Sequence, residues 1–352
     1  MTKSRTNAGH DLGMPTRVLD RKALSADIRR LSRVSGLRSV LAIAGEWGLI
    51  AASIGYAVSS DNPFVWMATG AFVATRQHAL LILMHDAAHG RLFQNRKLND
   101  AVGDLFLGLP NNVLMRRYRI RHAAHHRYAN DRTRDPDRTT IEADDQWQFP
   151  RSRRSGIGVF LRDLLGMNAS RTARVVVHYA PWPALMARLP WVEASEAPAD
   201  APATNAEAAR VALYGMALVA GLVATGGWLA YLALWILPSL TVLPALLRLR
   251  GIAEHEGHVG TNEVSVSRHV HAGMVEGFLV SPFHINFHTA HHLFPSVPWY
   301  NLPALHARLL EEAAYRDRLV EAPSYTGPGG VLDELMPSED APTPTLPSIA
   351  GQ

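Results

Sequence analysis

An all-α integral membrane protein is the fold class this sequence predicts: four transmembrane helices, further helices at the interface, and a cytoplasmic cap carrying clustered histidines. Three observations predict it. Residues 39–84 and 208–247 hold long apolar runs, each with room for two helices of the ~20 residues that a bilayer core requires. Histidines gather in three short segments just beyond those runs: HDAAH (His85 to His89), HAAHH (His122 to His126) and HTAHH (His288 to His292). Lys and Arg avoid the tight links 60–62 and 225–227 and concentrate in the N-terminal, middle and C-terminal stretches. The positive-inside rule then puts both termini and all three histidine clusters in the cytoplasm.

Composition narrows the chemistry. The 352 residues are 47% hydrophobic and contain no cysteine, so disulfides, thiolate metal sites and iron–sulfur centres within this chain are excluded. The net charge is +4 and the pI about 9.5. The arginines flank apolar runs, which fits the cytoplasmic face of a membrane and not a nucleic-acid partner.

Residues 1–38 form a basic cytoplasmic segment, and the first apolar run starts too far in for a cleavable signal peptide. Within it, 20–34 is expected as a short amphipathic helix on the membrane surface. Spans follow at about 39–59 and 63–84, turned by Ser60-Asp61-Asn62. Glu46, Arg76 and His78 fall inside them, all near the same membrane face. Intramembrane charges are costly and tend to pair, so Glu46 is expected to pair with Arg76 or His78, and a reversed Glu46→Arg/Arg76→Glu pair to restore expression. Residues 101–115 are too short to span and contain Gly108-Leu109-Pro110, which suggests an interfacial or re-entrant turn. The basic run Arg116, Arg117, Arg119, Arg121 comes next. A cytoplasmic insertion occupies 131–208, with Asp131, Asp135 and Asp137 in a turn-rich stretch, a helix near 157–166 and a linker at 193–207. Spans at about 209–225 and 228–247 follow, the last kinked at Pro238 and Pro244. The tail 322–352, rich in Pro, Gly and Ser, is expected to be disordered.

Residues three and four apart share a helix face. HxxHH therefore presents three imidazoles on one side and HxxxH two. Eight imidazoles exceed what one ion takes, so the chain reads as a scaffold for two first-row metals. Zinc hydrolysis of the HExxH type is disfavoured, because Asp86 follows His85 and the cluster holds no glutamate. The Glu-x-x-His repeats of soluble carboxylate di-iron bundles are absent too.

HDAAH, HAAHH and HTAHH, in this order and with a pair of spans between the second and third, resemble the histidine boxes of the membrane fatty acid desaturase family. The ending HTAHHLFPSVPWYNLPALH and Ala253-Glu254-His255 are similar to bacterial acyl desaturases. The resemblance covers roughly residues 40–310 without the insertion. It implies two iron ions held by His85, His89, His122, His125, His126, His288, His291 and His292. It also implies a further ligand between the last span and the third box, for which His255 is chosen over His258 and His271. Asp86, Glu254, His284 and Asn286 would orient ligand imidazoles by hydrogen bonding. His10, His78, His178, His269 and His306 are read as structural or surface residues.

The implied reaction is O2-dependent desaturation of an acyl chain in the bacterial inner membrane, drawing electrons from an external ferredoxin-like donor. Arg116–Arg121 would dock that donor, or else hold lipid headgroups. The boxes do not separate desaturation from hydroxylation or ketolation of lipids or carotenoids. A metal transporter is the reading from another class, disfavoured because transport sites lie near the bilayer midplane.

Overall fold

The computed structural model describes residues 15–190, 192, 199, 201–257, 260 and 262–338. His10, His258 and residues 193–198 and 200 of the expected linker lie outside the described residues.

The chain is mostly helical. After α1 (Ser25–Leu31), α2 (Gly36–Val58) and α3 (Pro63–Ala88) form the first hairpin. Asn62 starts α3 by accepting the Phe64 N–H at 2.9 Å, and Pro63 takes the first helical position, where a missing N–H costs nothing. Next come α4 (Arg96–Val102), a π-helical stretch Gly103–Gly108 and a 3-10 turn Leu109–Asn111. Asn112 then reverses the chain at φ 60°. The Asp104 carboxylate accepts the Met115 N–H at 3.0 Å, so this turn fixes the start of α5 (Met115–Tyr128), the helix of the second box.

The insertion carries α6 (Pro136–Glu142), α7 (Arg153–Leu164), α8 (Ala169–Val177) and α9 (Pro181–Met186). Then α10 (Asn205–Thr225) opens on a capping box between Thr204 and Glu207 and closes on Gly226 at φ +65°. The last long helix, α11 (Trp228–His255), contains a π-helical stretch at Leu232–Ile236 and breaks its helical geometry at Thr241, between Pro238 and Pro244. Two short parallel strands, β1 (Arg268–Val270) and β2 (Val320–Ala322), pair His269 with Glu321.

Among the described residues, three helices are long and apolar enough to cross a membrane: α2, α10 and α11. They contain three of the four expected spans. The other lies in α3, whose Arg76, Gln77 and His78 dilute its apolar character. Those side chains are fully buried, because the helices around α3 cover it along most of its length. Leu80, Leu83 and Met84 of α3 form the main core with Ile43 and Ile50 of α2 and Trp235 of α11. Glu46 pairs with Arg76 at 3.2 Å, and His78 is not its partner.

Three expectations are corrected here. The helix near 20–34 does not turn its apolar face to lipid. Leu24 and Leu31 are buried in a second core with Leu293, Leu302, Leu305 and Leu309, beside the third box. The tail is ordered to residue 338: β2 and the helix Val331–Leu335 bury Ala322, Tyr325, Val331 and Leu335 in a third core, while 339–352 lie outside the described residues. The basic run of α5 is not a free surface. Arg116 bridges to Glu207 at 2.6 Å, Arg117 is buried, Arg119 bridges to Asp100 at 2.6 Å, and Arg121 lies over the Tyr179 ring.

Candidate metal centre

The nine histidines singled out in the sequence come together in two groups. His85, His89, His122, His126 and His291 form one; His125, His255, His288 and His292 form the other. The division follows helix geometry. On α5, His122 and His126 are four apart and serve the first group, while His125 turns toward the second. On the short helix His288–Leu293, His288 and His292 serve the second group and His291 the first. Both HxxHH segments thus straddle the two groups.

The donor set fits metal ions. Ring nitrogens face each other within each group: His126 Nε2 to His122 Nε2 at 2.9 Å, His291 Nε2 to His126 Nε2 at 3.1 Å, and His255 Nε2 to His288 Nε2 at 3.0 Å. Between the groups, His125 Nε2 lies 3.3 Å from His292 Nε2. Both ring nitrogens of His85, His89 Nε2 and His291 Nδ1 are buried without a hydrogen-bond partner. So many convergent imidazoles cannot satisfy one another, and buried polar atoms left alone are costly. Burial also holds the conjugate acids of His122, His126, His288, His291 and His292 well below the ordinary histidine range, which keeps the rings neutral and able to ligate.

Oxygen acceptors surround the rings at differing distances. Glu254 Oε1 lies 3.4 Å from His288 Nδ1 and takes a 2.7 Å hydrogen bond from Arg250. Asp86 sits 3.8 Å from His85 Nδ1, beyond hydrogen-bond reach, and is held by the Trp299 N–H. The Val266 carbonyl lies 3.2 Å from His255 Nδ1.

Sequence reasoning missed Asp135, which reads locally as part of a turn. Its two oxygens each lie 3.1 Å from His125 Nδ1. The carboxylate is itself held by the backbone N–H groups of Asn130 and Asp137. Burial opposes a charge on His125, but Asp137 and the hydrogen-bonded Asp135 outweigh it and raise its pKa to about 9. The Asp135 geometry holds a proton on Nδ1, so Nε2 is the nitrogen a metal ion would take, displacing the proton that the metal-free imidazolium carries there. Asp135→Ala is expected to weaken metal retention at the four-histidine group by about 10–100-fold. The rate of metal loss to a chelator measures this; a rate equal to wild type would mean that Asp135 does not orient the ligand.

His284 and Asn286 are placed elsewhere than expected. Asn286 staples the segment before the third box to β1, donating to the Val270 carbonyl at 2.9 Å and accepting the Val270 N–H at 3.1 Å. The ring it orients is His269, through its own carbonyl at 3.1 Å. His284, at φ 58°, packs against Phe287 and Trp299. His271 belongs to neither group.

A cleft of about 180 Å³ opens beside the two groups, lined by His126 of one and His292 of the other. Arg17, Arg21, Arg127 and Glu263 also line it, and Arg21 is neutralised by Glu263.

The family model for fatty acid desaturases matches residues 62–323. The sn-1 oleoyl-lipid 12-desaturase of Anabaena variabilis is 24% identical over 294 residues, covering 80% of this chain and 77% of that protein. The dihydrorhizobitoxine desaturase of Bradyrhizobium elkanii is 24% identical over 252 residues, covering 69% and 67%. The sn-1 oleoyl-lipid 12-desaturase of Arthrospira platensis is 24% identical over 255 residues, covering 68% and 66%.

Proposed function

Because this chain belongs to the fatty acid desaturase family, we propose that it inserts a double bond into the acyl chain of a lipid, using O2, two electrons from an external donor and two protons. The carrying observation is the sorting of nine histidines into groups of five and four, a donor set suited to two iron ions. Iron bound there would supply the O2 chemistry that takes two hydrogens from adjacent saturated carbons, with O2 leaving as water.

The chain's own residues do the rest. The nine imidazoles hold the ions. Asp135, Glu254 and the Val266 carbonyl set ring orientation on the four-histidine side. Tyr118 stacks on His122 at 5.1 Å and closes part of the five-histidine side. In the membrane we take α3 as a fourth span beside α2, α10 and α11, its charged residues sheltered by its neighbours. Both termini and the metal groups then face the cytoplasm of a bacterial inner membrane. A transporter is less well supported, because the histidines lie where helices end.

For the electron donor, the cleft beside His126 and His292 replaces Arg116–Arg121 as the docking site. Arg17 and Arg127 are exposed at it and suit an acidic ferredoxin-like protein. The double substitution Arg17→Glu with Arg127→Glu is expected to raise the donor concentration for half-maximal rate several-fold and to flatten its salt dependence. Turnover with the donor varied at two ionic strengths checks this; unchanged kinetics would move the dock elsewhere.

Lipid mass spectrometry of cells expressing the chain with a ferredoxin system tests the activity. A new unsaturated acyl chain establishes desaturation. A product heavier by one oxygen would make the enzyme a hydroxylase, and no oxygen-dependent product would reject the reading.

A further inference from the structure

We propose that His269, His271 and Glu321 form a separate site for a divalent transition metal, zinc by its donor set, that clamps β1 to β2. None of the three belongs to either histidine group, and their candidate ligand atoms lie within 4.8 Å of one another.

The local fold explains the convergence. The pairing runs one residue past β1, where the His271 N–H donates to the Ala322 carbonyl at 2.9 Å, and alternation along it puts positions 269 and 271 on one face. The parallel register sets Glu321 opposite His269, so its carboxylate arrives at the same edge. His269 Nδ1 lies 3.1 Å from the Asn286 carbonyl, and donation there leaves Nε2 as the lone-pair nitrogen. Backbone carbonyls orient metal-bound histidines in this way. His271 Nε2 lies 3.0 Å from Glu321 Oε1, so both remaining donors already point at one spot. His306 stacks on the His269 ring at 4.3 Å and is itself fixed by Tyr315 at 2.8 Å, giving the buried ligand a rigid wall. His271 and Glu321 stand open to solvent, which leaves an entry path and room for a water. Two imidazoles, a carboxylate and a water are a tetrahedral zinc set.

The clamp would have work to do. A pair of three-residue strands is weak alone. Yet β1 holds the Asn286 staple, and the Ser267 carbonyl beside it accepts the Thr289 hydroxyl at 3.0 Å, next to His288. Tying β1 to β2 steadies the third box from behind.

The test uses the full-length, iron-loaded protein in detergent, equilibrated with Zn2+ and passed over a gel-filtration column. Iron and zinc per chain are then counted by elemental mass spectrometry. Wild type is expected to keep one zinc with its iron unchanged. His271→Ala and Glu321→Gln are expected to keep their iron and to bind zinc at least about tenfold more weakly. Glutamine at 321 can still accept a hydrogen bond from His271, so its effect separates a metal ligand from a surface ion pair. Added zinc should also raise the unfolding temperature of wild type and leave both variants unmoved. Zinc that enters only as iron leaves, zinc bound equally by all three proteins, or no zinc in wild type would each overturn the proposal.

Discussion

His291→Ala is expected to abolish product formation, by at least about a hundredfold, and to empty the five-histidine group while the other keeps its metal. His291 is buried, lies 3.1 Å from His126, and packs its ring 4.3 Å from that of His85. It is the only member of that group on the third box helix. Removing it deprives the first group of the contribution of an entire segment. His288 and His292, on the same helix, remain with the other group. Iron per chain should therefore fall by about half instead of vanishing, given one ion per group. Acyl-chain mass spectrometry and iron analysis on one preparation read both effects. Wild-type product with both irons retained would refute the assignment of His291.

Arg76→Leu is expected to be the most destabilising single change within the helical bundle, at about 3–5 kcal/mol. It would leave Glu46 buried without its 3.2 Å partner. It would also remove more than that pair. Arg76 donates to the Phe278 carbonyl and lies over the Phe278 ring at 3.9 Å from its centroid. One guanidinium thus fastens α2, α3 and the segment after β1 together. For the same reason the Glu46→Arg/Arg76→Glu exchange should recover only part of the loss. Glutamate at 76 can neither donate to Phe278 nor stack on its ring, so the full rescue expected from charge reversal alone is revised. Thermal unfolding in detergent, with expression level as a second readout, checks both. A stable Arg76→Leu protein would show that the pair contributes little.

The histidine groups were legible because their information is local. Spacings of three and four residues define a helix face whatever surrounds it, and repetition made chance unlikely as an explanation. Glu254 stands beside His255 in sequence but approaches His288 in space, and Asp86 holds the Trp299 N–H instead of the His85 ring it follows. Asp135 was not legible, since its partner His125 lies across a turn whose path no short window reveals. The α5 arginines looked like surface because Glu207 and Asp100, which neutralise Arg116 and Arg119, are remote in sequence or on another element. The apolar runs gave the helices α2, α10 and α11. They did not reveal that α3 is the most enclosed of the long helices, because burial by neighbouring helices leaves no mark on hydropathy. The ordered stretch 322–338 was hidden by its Pro and Gly content, which suggests disorder when partners such as Phe149 and Ile252 are out of view.

The N-terminal segment that packs beside the third box has a consequence for how the protein is made. Glu263 accepts the backbone N–H groups of Val18 and Leu19, each at 3.0 Å, and Arg21 donates to the Leu293 carbonyl. Residues 18–21 therefore wait for partners synthesised more than two hundred positions later. Such distant closure is slow and exposes apolar surface meanwhile. The first and second boxes are synthesised long before the third exists. Neither histidine group is complete until the third box has been made, and a nascent chain stalled before residue 288 would carry incomplete groups.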